Sequence, residues 1–461
     1  YDIVDGNLRQ GEDKAEVILK RLADTGARYL GVTLMPGPQL QHGLPDIKRI
    51  KAARPETIVV AGGYFPSLNA DICARHAAID YVIDGPGEET LPELIEVLEA
   101  DGDAAQVPGL VFEREGRIVR TGKRPPRDPN TLPKFPYHRV NIEDYICSTH
   151  LGSRTLSHHS SYGCPFTCNF CGVTGVAEGR WMPESAERVA EVTEFFVREH
   201  GANALEFHDN NFFTQQKRVL AYSQELLRRG LKLSWWGEGR IDTLLKYTPE
   251  TWKTMRESGL KMIFMGAEAS NPETLRRMNK GGTLKAHDSI ALAEVMRSHG
   301  IVPEYSFILG NPPNPRADIE ETITLIRQIK RANPSAEIIL YRYDPVPLAG
   351  DMMDAVAESG FALPGALDDW LDPKNAKIHL RRTADLPWLS RDDMRYIRNF
   401  ETVLNAYHPT STERRLRAPW VRGLLRLTSA PRYRLGLYAY PVELRVLQRW
   451  LHYQRPETYG F

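Results

Sequence analysis

Between residues 155 and 350, six short apolar segments alternate with five amphipathic ones, and this alternation constrains the fold more than any other feature of the chain. The segments 155–161, 204–207, 232–236, 262–266, 303–309 and 337–343 have the length and apolar content of buried strands. The stretches 185–199, 216–229, 249–258, 284–299 and 318–332 carry apolar residues at helical spacing. Strand, helix and strand in repetition call for parallel strands joined by right-handed crossovers, with helices covering the sheet. Six such units predict an α/β fold of the partial (β/α)6, TIM-like kind, in which function gathers at the carboxyl ends of the strands.

Residues 1–106 show the same alternation on a smaller scale. Strands are expected at 1–4, 29–34, 57–61 and 81–83, with helices at 14–25, 43–54, 69–76 and 88–99. Such units build a doubly wound, Rossmann-like sheet that binds ligands at its strand ends. Two glycine-rich turns lie there: Gly62-Gly63-Tyr64-Phe65-Pro66-Ser67 and Asp84-Gly85-Pro86-Gly87-Glu88-Glu89. The chain opens on what reads as a core strand, so a preceding strand and helix are expected to belong to this domain. Residues 107–150 read as a connector, with a hairpin around Glu115-Gly116 and a proline-rich run at 124–136. The barrel is expected over 151–350 and a mostly helical cap over 351–461.

Three of the five cysteines stand together in Tyr162-Gly-Cys164-Pro-Phe-Thr-Cys168-Asn-Phe170-Cys171, a C-x3-C-x2-C spacing. Three thiolates on one loop can hold three irons of a cubane cluster, where a fully protein-ligated cluster takes four cysteines. The open iron then suits substrate binding. Structural zinc is the alternative, with His158 or His159 as a fourth ligand, on a non-catalytic scaffold. The loop resembles the cluster motif of the radical S-adenosylmethionine (SAM) enzymes. That resemblance implies a [4Fe–4S] cluster on Cys164, Cys168 and Cys171, SAM chelated at the open iron, and a 5′-deoxyadenosyl radical made with one electron from a reductant such as flavodoxin or ferredoxin.

The two glycine turns resemble those of the cobalamin (B12) domain found before many radical SAM barrels, which implies cobalamin near Gly62, Gly63, Gly85, Gly87 and Glu88. The Asp-x-His-x-x-Gly motif that supplies a cobalt ligand is missing, and His42 reads as a polar loop residue. Many members of the family also lack that motif. The strand ends resemble the SAM-contacting segments of the family, and the implied contacts are Phe170, Asp209, Glu238, Arg240, Glu268, Ser270 and Gly310. Glu238 and Glu268 suit hydroxyls, an amino group or a sulfonium, and the Arg240 fork suits a carboxylate. Gly310, like Gly266, permits close approach, and Phe170 suits adenine.

The family resemblance implies methyl transfer from methylcobalamin to an unactivated carbon of a small or hydrophobic substrate. Anaerobic oxidative cyclases of tetrapyrroles and hopanoid-modifying enzymes share the pattern. Lys and Arg together equal Asp and Glu at 59 each, so nothing global points to nucleic acid. The cysteine usage points to a reducing, cytoplasmic setting, and no run of about 18 apolar residues suggests a membrane span. From Arg414 to Arg455 stand ten arginines, no lysine and one acid, Glu443, interleaved with aromatic and aliphatic residues. That tail reads as a helical cap or as a peripheral membrane contact at the inner face.

Overall fold

The computed structural model describes residues 1–280, 284–375, 378, 386–410 and 419–451. Gly281 and the arginines at 414, 415, 417 and 455 lie outside the described residues. The first domain is a five-stranded sheet in the order β1-β2-β3-β4-β5. Strands β1 (Tyr29–Thr33), β2 (Ile58–Gly62) and β3 (Tyr81–Ile83) are parallel, with Tyr29 opposite Ile58 and Val60 opposite Tyr81. The helices are α1 (Lys14–Thr25), α2 (Pro38–Ala53), α3 (Tyr64–Leu68), α4 (Ala70–Ala74) and α5 (Thr90–Glu99).

Three expectations are corrected here. Residues 1–4 form no strand; Tyr1 and Ile3 are exposed, and Asp2 is drawn to Arg21. The hairpin β4 (Leu110–Arg114) and β5 (Arg117–Arg120), expected in the connector, adds antiparallel to β3 instead. The physical reason is that Val111 is buried in one core, and Leu110 and Phe112 in another. A strand apolar on both faces is satisfied only inside a covered sheet. Third, α2 starts at Pro38, a residue pre-set for a first helical turn, so His42 is helical and exposed rather than in a loop.

The barrel is a sheet of six parallel strands in the order β13-β12-β11-β10-β9-β6. In chain order it runs β6 (Thr155–His158), β7 (Ser161–Gly163), α6 (Gly172–Ala177), β8 (Trp181–Pro183), α7 (Ala186–His200), β9 (Ala204–Phe207) and α8 (Gln216–Arg228). It continues through β10 (Ser234–Gly239), α9 (Ile241–Leu244), α10 (Pro249–Glu257), β11 (Leu260–Glu268), α11 (Pro272–Arg277) and α12 (Ala286–Ser298). It ends with β12 (Val302–Leu309), α13 (Pro315–Ala332) and β13 (Glu337–Arg342). Alternation decides which side chains meet the helices. On β12, Tyr305, Phe307 and Leu309 enter the core, so Glu304 and Ser306 take the opposite face. Ser185 and Thr248 cap α7 and α10 through their hydroxyls, which accept amides the first turns leave free.

The tail adds α14 (Asp351–Glu358), α15 (Arg391–Tyr407), α16 (Pro419–Leu435) and α17 (Val442–Leu451). Its first part does more than cover the barrel. Leu367, Trp370 and Ile378 are buried in the core of the first domain, and Trp370 meets Phe65 edge-on at 5.1 Å.

Candidate active site

The cysteine loop leaves β7 through Gly163, whose φ is +77° and where a side chain would strike the Arg180 carbonyl. The segment after α11 then clamps it. Asn169 donates from its amide to the Met278 carbonyl at 3.2 Å and from Nδ2 to the Arg277 carbonyl. Asn279 Nδ2 donates to the Thr167 carbonyl at 2.8 Å. Two side chains aim N–H groups at sulfur: Arg240 Nη1 lies 3.5 Å from Cys168 Sγ, and Asn211 Nδ2 lies 3.9 Å from Cys164 Sγ. Burial pushes the Cys171 thiol up to about 11 and raises Cys164, against backbone amides that oppose it. Such thiols become thiolates when iron supplies the charge. Three cysteines with donors at their sulfurs fit an anionic cluster.

Zinc needs a fourth ligand from the chain, and His158 is not free to supply it. Among the described residues, no three His, Cys, Asp or Glu side chains gather to hold a single ion, whereas a cubane spreads three cysteines over three irons. His158 is already engaged on both ring nitrogens, by Tyr137 Oη at 2.9 Å and Glu184 at 3.3 Å. The Glu184 carboxylate also accepts from Arg188, and this buried network fastens the connector to β6. His159 stacks on Tyr162.

The strand-end residues expected to touch SAM divide into two groups. Phe170 lies in the loop, Arg240 reaches Cys168, Glu268 pairs with Lys280 of the clamp, and Glu238 lies near the end of β10, two residues before Arg240. Phe170 joins Met278, Tyr343 and Met352 in an apolar wall, where the buried Tyr343 hydroxyl has no partner. A flat base with polar edges fits such a wall. Glu268 has a left-handed backbone, φ +63°, at a bulge in β11, and pairs with Lys280. Gly266 leaves the room for that pair, since a Cβ there would lie 1.9 Å from Glu268 Oε1. Arg240 is not an open fork. Asp242 takes Nε and Nη2 at 3.0 Å each, the Lys280 carbonyl takes Nη2 again, and the guanidinium lies 3.7 Å from the Phe166 ring centroid. Its remaining nitrogen faces Cys168.

Asp209, Ser270 and Gly310 are bonded to neighbouring elements of the scaffold. Asp209 is fully buried and accepts from the Ser160 amide at 3.1 Å, Ser160 Oγ at 2.9 Å and Ser161 Oγ, tying the end of β6 to that of β9. Ser270 donates its amide to Thr322 Oγ1 at 3.3 Å. Gly310, φ +77°, donates its amide to Asp318, and Leu389 fills the space beside it.

The cobalamin turns face open space. A Cβ at Gly62 or Gly85 would meet nothing within 4 Å, and one at Gly87 only Ile83 at 3.8 Å. Ser67 ties the two turns by accepting the Gly85 amide at 3.1 Å. This bare surface fits a broad, flat macrocycle. Gly63, φ +97°, starts α3 and sends Tyr64 to the barrel, where its hydroxyl donates to Asn210 Oδ1 at 2.9 Å. Burial raises the Tyr64 phenol, and Cys171, Glu238 and Cys164 lie near enough to add to the effect. Burial likewise raises the half-buried Tyr162 phenol, and Glu88 adds to the effect. A hydrogen bond with Glu206 raises His208 above its usual range, with Glu238 adding.

Sequence reasoning assigned no role to Tyr64, Asn169, Asn211 or Lys280. Tyr64 had a signal, an aromatic residue directly after paired glycines. Asn211 had none, yet it is fully buried beside Cys164 with an unpartnered Oδ1.

A model of the radical SAM superfamily matches residues 159–326, and a model of the B12 binding domain matches residues 1–95. An uncharacterized methyltransferase of Pyrococcus horikoshii is 28% identical over 61% of this chain and 60% of its own length. The anaerobic magnesium-protoporphyrin IX monomethyl ester cyclase of Cereibacter sphaeroides is 31% identical over 62% of this chain and 49% of its own. The hopanoid C-3 methylase of Methylococcus capsulatus is 27% identical over 57% and 49%. The chain thus spans between 49% and 60% of the length of these curated relatives. Among solved structures, the radical SAM methyltransferase TsrM of Kitasatospora setae superposes with a TM-score of 0.65 at 16% identity, over 96% of this chain and 91% of that one. The cobalamin-dependent enzyme OxsB gives 0.62 at 17%, over 95% and 68%. These two likenesses show the shared fold. The chain belongs to the radical SAM superfamily, in the group that carries an amino-terminal B12-binding domain.

Proposed function

We propose that this protein cleaves SAM reductively at a [4Fe–4S] cluster and, with cobalamin, methylates an unactivated carbon of a small or hydrophobic substrate. The cofactors supply a 5′-deoxyadenosyl radical and a methyl group; the chain supplies the chamber. Cys164, Cys168 and Cys171 would hold the cluster, and the turns at Gly62, Gly63, Gly85 and Gly87 the macrocycle. Phe170, Glu238, Glu268 and Tyr343 would line the space for SAM. Arg240 and Asn211 hold N–H groups against the sulfurs. The clamp at 277–280 keeps the loop still, and burial around it keeps water from reactive species.

The observation that carries this reading is Tyr64. It leaves the cobalamin-type turn and donates to Asn210, the neighbour of Asn211, whose Nδ2 lies 3.9 Å from Cys164 Sγ; this supports two ligand sites that open on one chamber. A one-electron reductant such as flavodoxin or ferredoxin is proposed as the partner, in the cytoplasm, with the Arg-rich tail at the inner membrane face.

The test starts with protein purified and reconstituted without oxygen, then assayed for iron and cobalt. Dithionite and SAM are added and the products are separated. We expect 5′-deoxyadenosine together with S-adenosylhomocysteine. 5′-Deoxyadenosine alone favours the oxidative cyclisation named for the cyclase relatives. Cys168→Ala should abolish cleavage with an unchanged circular dichroism spectrum; retained cleavage removes the cluster assignment.

A further inference from the structure

The last two described helices lie on the protein by one face only. On α16, Val421, Leu425, Ser429 and Tyr433 recur every fourth residue and are buried, with Tyr433 stacked on Tyr407 of α15 at 4.4 Å. On α17, Leu444 and Gln448 do the same. The opposite faces are apolar where a solvated helix would be polar. Trp420 is 70% exposed, Leu427 74% and Trp450 80%, and Leu435, Tyr440 and Val446 join them. Seventeen large apolar side chains are exposed among the described residues, and nine of them stand between Trp420 and Trp450. Singly exposed apolar residues need no cause, but such a concentration marks a contact surface.

Charge selects the partner. Residues 419–451 contain six arginines and one acid, so the segment carries five excess positive charges in a chain whose net charge is zero. The acid, Glu443, is bound to Arg432. Arginine forks match phosphate, and tryptophan and tyrosine prefer the boundary between headgroup and acyl chain. No described helix is long and apolar enough to cross a membrane, so the contact lies along the surface.

We propose that the outer face of α16 and α17 docks on an anionic phospholipid bilayer, with Trp420, Leu427 and Trp450 entering the acyl boundary and the exposed Arg449 meeting phosphates. This deepens the partner part of the reading above and does not depend on its radical chemistry. The test is co-sedimentation of the full chain with vesicles of phosphatidylcholine, alone or with about 25% phosphatidylglycerol. Binding is expected only to the anionic vesicles, and should weaken as salt rises from about 0.1 to about 1 M. Trp420→Ala with Trp450→Ala should lower partitioning about tenfold, and Arg449→Glu should lower it as well. SAM cleavage by these variants in vesicle-free buffer should be unchanged.

Three outcomes overturn the proposal. One is failure to sediment with any vesicle, and another is equal binding to neutral and anionic vesicles. The third is a concentration-dependent dimer that the double tryptophan variant dissolves, since a second copy would then cover the face. Sedimentation is scored on protein mass alone. If cleavage fails and sedimentation holds, the catalytic reading falls by itself.

Discussion

Arg240 shows how a residue picked out by sequence can already be engaged within the chain. Its place at the end of β10 marked it for a carboxylate, but the carboxylate it holds is Asp242, two residues on. The free edge of the guanidinium faces Cys168. A charged N–H donor at a cluster sulfur stabilises the reduced form, so Arg240→Gln should shift the cluster's midpoint potential to more negative values. Arg240→Lys should restore part of the shift. An EPR-monitored redox titration without SAM reads this directly, and a purely structural role would leave the potential unmoved.

Lys280 and Glu268 are nearly as buried, with side-chain exposures of 9% and 7%. Removing one partner strands the other's charge. Lys280→Met should cost about 3 kcal/mol in denaturant unfolding, and adding Glu268→Gln should return much of it. The cysteine loop stands out in the sequence because three candidate ligands on one loop are a local pattern. The partners of Asp209 were not legible, because a strand-end carboxylate can turn to the chamber or to the neighbouring loop, and here it bonds Ser160 and Ser161.

Among elements, the barrel strands fell within a few residues of their expected bounds, because apolar runs between helices leave little freedom. The expected strand at 155–161 divides in two: β6 stops at His158, Ser160 and Ser161 turn to Asp209, and β7 pairs with β8. Least legible was the contact between α3 and α6, which joins the two cofactor-binding domains. Leu68 lies against Gly172 and Gly175, so close that a Cβ at Gly175 would sit 2.4 Å from Leu68 Cδ2 and 2.8 Å from Leu348 Cδ2. Gly175 is helical without a left-handed backbone, so Gly175→Ala tests packing alone. It should cost ~1–3 kcal/mol and weaken cobalamin binding by prising α3 from the cluster helix. Leu68→Ala in the same chain removes the nearer clash but leaves that with Leu348, so it should restore part of both, as followed by thermal unfolding and cobalt content. No recovery of cobalt content alongside recovered stability would mean that the two helices do not transmit strain to the cleft.

Across the whole molecule, the chain closes on itself. The first domain precedes the barrel, yet part of its core comes from Leu367, Trp370 and Ile378, which follow the barrel. Trp370 is 2% exposed, packs edge-on against Phe65 directly after Tyr64, and accepts from Gln41 Nε2 through its carbonyl at 2.7 Å. Lys48 and His76 both reach Asp368 nearby. No periodicity could show this, since the partners are some 300 residues apart and each segment alone reads as an ordinary amphipathic piece. The clasp gives the cobalamin-type domain a second attachment to the barrel besides α3. Trp370→Ala removes the largest side chain from it, and deletions of this kind cost ~3–5 kcal/mol. The loss should appear first as loosening of the domain rather than of the barrel. Limited proteolysis should then cut the 124–136 connector faster, and cobalamin affinity should fall. The reconstituted iron content should hold, because the cluster loop is clamped from within the barrel by Asn169 and Asn279. Parallel loss of iron and cobalt would instead mean that both cofactor sites rest on one cooperative core.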